Sequence, residues 1–83
     1  MSAPGSQPGG GPATPELDCR GQRCPLPVIA LARRLPELPV GAQLRVLADD
    51  PAAGNDIRAW CRLRGQEFVA QLAPDVFVVR RRR

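Results

Sequence analysis

Three cysteines, at positions 19, 24 and 61, and the adjacent carboxylates of Asp49 and Asp50 are the side chains of this 83-residue chain that invite a chemical reading. The chain has no His and no Tyr, and every basic residue is Arg. The usual proton shuttles near neutral pH are therefore missing, and any catalysis rests on Cys, Asp, Glu, Arg or backbone groups. Cys24 stands directly before two prolines spaced one residue apart, in Gly21-Gln22-Arg23-Cys24-Pro25-Leu26-Pro27. It could be a packing residue, a metal ligand, half of a disulfide or a nucleophile. Cys19 and Cys24 do not have zinc-knuckle spacing, and no His is present to complete a site. Three cysteines, an odd number in a reducing compartment, argue against a disulfide framework. Neither a metal nor a cofactor is expected.

The elements that would position Cys24 follow from hydrophobic patterning. The first fifteen residues are dominated by Gly, Pro, Ser and Ala, the composition of a disordered leader. They lack the basic start and apolar run of a secretory signal, and no segment is long enough to span a bilayer, so the expected compartment is the cytoplasm. Residues 16–80 make one small domain, and 81–83 a basic tail. Glu16 to Cys19 reads as a strand. Gly21 supplies a turn with positive φ. Val28, Leu31 and Leu35, widened by Ile29 and Ala32, give a helical stripe that ends near Pro36. Residues 42–49 alternate as a central strand. Asp50 or Asn55 caps a second helix with Ile57, Trp60 and Cys61 inward, Leu63 at the margin and Gly65 as its stop. Residues 67–73 and 75–81 form a hairpin through Ala73, Pro74 and Asp75. The order β-α-β-α-β-β predicts an α/β two-layer sandwich: a four-stranded mixed sheet with two helices on one face.

On this plan Cys24 is the N-cap of the first helix, with Pro25, Leu26 and Pro27 at N1 to N3. The first helical N–H groups have no partner inside the helix, so prolines there leave no bare donor. A thiol at such a terminus feels a partial positive charge, which lowers its pKa, and Arg20 and Arg23 are cationic neighbours in sequence. The placement prepares Cys24 for nucleophilic work, with Gly21, Arg23, Pro25, Leu26 and Pro27 supporting the helix start.

The motif Cys24-Pro25-Leu26-Pro27, the segment Ala48 to Pro51 and the pair Trp60-Cys61, in this order and spacing, resemble the TusA (SirA-like) family of sulfur carriers. The likeness runs from about Leu17 to Arg80. It implies a sulfurtransferase in which the motif cysteine, here Cys24, accepts sulfane sulfur as a persulfide. The implied donor is a cysteine desulfurase or another persulfide carrier, and the implied recipient a downstream sulfur-acceptor protein. The family's destinations include tRNA thiolation, molybdenum cofactor and sulfur oxidation. Persulfide exchange needs a good thiolate rather than a proton shuttle, which accounts for the missing His and Lys.

The remaining candidates have blander readings. Cys61 is expected in the core, and Cys19 as packing rather than as a partner that would discharge Cys24. Asp49 and Asp50 read as a strand end and a helix cap rather than an acid–base pair. Alternatives of other classes are a small basic nucleic-acid or protein-binding module and a Cys19/Cys24 redox sensor. Direct nucleic-acid binding is not expected, because Trp60, Phe68 and Phe77 are all plausible core residues rather than stacking platforms.

Overall fold

The computed structural model describes residues 14–83, so all but the last two residues of the leader expected over 1–15 lie outside the described residues. Four strands form one sheet: β1 (Glu16–Asp18), β2 (Gln43–Leu47), β3 (Glu67–Ala73) and β4 (Val76–Arg80), in the spatial order β1-β2-β4-β3. β1 runs parallel to β2, while β4 is antiparallel to both β2 and β3. The helices α1 (Leu26–Arg34) and α2 (Ala53–Arg64) fill the two crossovers, with a short 3-10 turn over Leu35–Glu37 after α1. The architecture is the expected four-stranded mixed α/β sheet, with β2 in an interior position.

Alternation along the strands makes the core. Leu44 and Val46 of β2 and Phe77 and Val79 of β4 are buried and point to the helix-covered face. Leu31 and Leu35 come down from the first helical segment, and Ala53, Ile57 and Cys61 from α2, to close one hydrophobic cluster. Periodicity located these stripes correctly, but their margins differ. Pro27 is among the fully buried side chains, whereas Val28 and Trp60 only pack against the cluster from partly exposed positions. Ile29 is 41% and Leu63 80% exposed. Both lie where the helix surface turns away from the sheet.

Both ends of the described residues are tied to the sheet. The Pro15 carbonyl accepts the Arg45 N–H. At the other end the Arg81 N–H donates to the Ala42 carbonyl, the Gly41 N–H donates to the Arg81 carbonyl, and the Arg82 N–H donates to Gln66 Oε1. The residues read from the sequence as a basic tail thus carry ladder-like bonds beyond Arg80. α2 ends as expected at Gly65, whose φ of 72° is left-handed.

The Cys24 loop as candidate functional site

Cys24 lies in the loop between β1 and α1, and the loop's shape comes from a short chain of hydrogen bonds. At its start the Cys19 N–H extends the parallel pairing by donating to the Leu47 carbonyl at 2.7 Å, and the Cys19 side chain is buried. Gly21 then turns the chain with a φ of 82°, the conformation expected of it. At the loop's end the Leu26 N–H donates to the Arg23 carbonyl at 2.8 Å, closing a tight turn over Cys24 and Pro25.

This turn moves the helix start. Pro25, not Cys24, is the N-cap of α1, so Leu26 is N1 and Pro27 is N2. Cys24 sits one residue outside the helix. The Leu26 amide is engaged by the Arg23 carbonyl. The expected lowering of the thiol's pKa by the helix terminus is overturned as well. The Cys24 thiol is pushed up from its ordinary value, first by hydrogen bonding to the Asp56 side chain, then by desolvation and by the charges of Asp56 and Asp50. The arginines nearby in sequence do not offset this. Arg20 is held by Asp18 in a bidentate pair at 2.9 and 2.7 Å, which lowers the Asp18 carboxyl to about 2.

Asp49 and Asp50, read from the sequence as strand end and cap, are the clamp of this loop. Asp49 Oδ1 accepts the Gly21 N–H at 2.9 Å. Asp50 Oδ2 accepts the Cys24 N–H, while its Oδ1 accepts the Ala52 N–H at 3.1 Å. The Asp50 carboxyl lies below its ordinary value, chiefly because of the Ala52 amide and then that of Cys24. The capping role survives in altered form. Ala52 is the N-cap of α2, no side chain caps the helix directly, and Asn55 lies inside it. The sequence signal for the clamp was present in two adjacent carboxylates at the end of a central strand. Their partners lie 28 and 26 residues away in the chain and had no local signature.

The three cysteines separate cleanly. Cys24 is exposed, whereas Cys19 and Cys61 are each 1% exposed, and all three are free. Burial raises both inner thiols, that of Cys61 to about 11. Such thiols are poor nucleophiles. Beside Cys24 a shallow hollow is lined by Pro25, Val28, Asp56, Ala59, Trp60 and Leu63. It gives the sulfur an apolar flank with one carboxylate. Leu26, half exposed, extends the apolar surface on the α1 side. Arg23 stands over a second hollow shared with Gly21, Asp49 and Asp50.

The site is thus an exposed cysteine on the loop between β1 and α1, clamped from the loop after β2 of an open α/β sheet. The family model for sulfurtransferase TusA matches residues 15–81. A sulfur carrier protein TusA from Pseudomonas syringae pv. syringae is 42% identical over 60 residues, 72% of this chain and 71% of that protein. Another from Pseudomonas savastanoi pv. phaseolicola is 39% identical over 59 residues, 71% of this chain and 70% of that one. The crystal structure of a SirA-like protein from Desulfitobacterium hafniense matches with a TM-score of 0.62 at 26% identity, covering 78% of this chain and 92% of that chain. The chain belongs to the TusA family of sulfur carriers. A role in sulfur transfer, between a donor and an acceptor, follows from that membership. No helix among the described residues is long and apolar enough to cross a membrane.

Proposed function

We propose that the protein carries sulfane sulfur as a persulfide on Cys24, taking it from a cysteine desulfurase or another persulfide carrier and passing it to an acceptor protein. The observation that carries this reading is the exposure of Cys24 alone among three free cysteines, on a loop fixed by Asp49 and Asp50. In loading, the Cys24 thiolate attacks the outer sulfur of the donor's persulfide and the donor's cysteine thiolate leaves. Unloading repeats the exchange with the acceptor's thiolate as nucleophile. Neither step needs a general base inside the carrier once the thiolate exists, in keeping with a chain that has no His.

The clamp serves this exchange by presentation. The attacking and leaving sulfurs must line up with the sulfur being transferred, and a loop held at Gly21 and Cys24 offers the partner a fixed target. The apolar flank of Pro25, Val28 and Trp60 gives the partner a surface that excludes water as it docks. Arg23, Leu26 and Pro27 act through this frame: Arg23 and Leu26 close the turn, and Pro27 anchors it to the core.

Mass spectrometry after incubation with a desulfurase and cysteine tests the proposal. The wild-type chain gains the mass of one sulfur atom, and Cys24→Ala gains none while keeping its fold. An adduct that persists without Cys24 refutes the assignment. Loss of two hydrogens would instead mark a redox pair, for which the buried Cys19 is poorly placed.

A further inference from the structure

Cys24 faces a carboxylate where a nucleophilic sulfur would be served by a cation. Asp56, in the first turn of α2, lines the same hollow as the thiol, with Pro25, Val28 and Trp60 as apolar walls. Among the described residues its carboxylate enters no ion pair. From the β2–α2 loop, Asp50 adds a second negative charge, held in place by the Cys24 and Ala52 amides. On the thiol's own loop Arg20 is taken by Asp18, and the charge of Arg23 acts on Asp50. The chain has no His or Lys to receive the thiol proton.

We propose that Asp56 is a positioning residue that holds unloaded Cys24 as a thiol, and that a cationic group on the sulfur donor pairs with Asp56 on docking and frees the thiolate. This rests on the persulfide-carrier reading and adds to it a condition on the donor. A carboxylate accepts the S–H hydrogen bond and repels the thiolate, and the direction in which Cys24 is displaced agrees. When a donor cation neutralises Asp56, the thiol proton passes to water. A bond then forms between Cys24 Sγ and the outer sulfur of the donor's persulfide. The bond from that sulfur to the donor's cysteine breaks, and the donor leaves as a thiolate. The exchange involves no net oxidation or reduction. The idle carrier, kept as a thiol, is protected from oxidants that react with thiolates. Loading is confined to partners that bring the matching charge.

Asp56→Asn separates the two halves of the proposal. Alkylation of Cys24 by iodoacetamide, an uncharged probe, is followed across pH, and loading by a cysteine desulfurase is timed in parallel. The variant's alkylation profile should move to lower pH, with the rate at neutral pH rising severalfold. Desulfurase loading should slow, because the variant lacks the charge with which the donor pairs on docking. Asp56→Glu, which keeps the charge, should retain the wild-type alkylation profile. In the wild-type chain the alkylation profile should already lie at higher pH than that of a cysteine in an unstructured peptide, a readout that does not depend on the variant folding. An unchanged profile in Asp56→Asn, or a wild-type profile no higher in pH than the peptide's, overturns the role of Asp56. Loading that stays unchanged or rises with alkylation overturns the donor's part. If the wild type takes no sulfur, the carrier reading itself fails, and the alkylation result still decides what Asp56 does.

Discussion

Replacing Pro27 by Ala should loosen the platform beneath Cys24. The proline ring is fully buried at the start of α1, three residues after the sulfur-bearing position. The change removes two ring methylenes, each worth about 0.8 kcal/mol when buried. The space they leave adds a cavity cost where the neighbours relax only in part. The unfolded chain also gains freedom, which costs the folded state a further ~0.4–1 kcal/mol. Little is recovered in return, because proline in the first turn of a helix displaces no hydrogen bond. The net loss is about 2–3 kcal/mol, and for a domain of this size that lowers the melting temperature by on the order of ten degrees or more. Urea unfolding followed by circular dichroism measures it directly, and desulfurase loading of the still-folded variant should slow because the turn over Cys24 has lost its anchor. A destabilisation under about 0.5 kcal/mol, within the range of an ordinary surface substitution, would refute the argument that Pro27 is a core residue.

Asp50→Asn should weaken the clamp: hydrogen exchange at the Cys24 and Ala52 amides quickens and loading slows, with the melting temperature nearly unchanged, as NMR exchange and a thermal scan would show. Cys61→Ala should keep the sulfur adduct while losing about 1 kcal/mol of stability, read by denaturant unfolding. The same residue governs behaviour in alkali. Burial raises its folded-state value from 9.0 to about 11, so the stabilisation it provides is whole below pH 9.0 and is lost as the pH climbs through about 11. The alkaline fall in melting temperature should be shallower in Cys61→Ala.

Much of the molecule is written in local pattern. The alternation of Leu44 and Val46, the helical spacing of Leu31 and Leu35 and of Ile57 and Cys61, and Gly65 at the end of α2 each encode an element through a period or a backbone preference that needs no distant partner. With short connections and right-handed crossovers, that order of elements leaves few sheets to choose from. Cys24 could likewise be singled out from the residues beside it. Its two prolines place it at a boundary and hence at the surface. Cys61, on an apolar stripe, was legible as core by the same reasoning.

The character of the thiol was settled elsewhere. Whether a cysteine next to a helix start is activated depends on which amides and charges face it, and these come from the β2–α2 loop and the first turn of α2. Sequence neighbours Arg20 and Arg23 promised a cationic setting, but Asp18 holds the first and the charge of the second acts on Asp50. The helix start lies one residue later than expected, and the Arg23–Leu26 turn engages the Leu26 amide with a backbone carbonyl. Patterning along the chain determined the elements, the sheet and the identity of the exposed cysteine, because each depends on periods of two to four residues. Only the tertiary structure decided that Asp50 clamps the loop and Asp56 faces the thiol, because electrostatics act through space between segments that the sequence holds far apart.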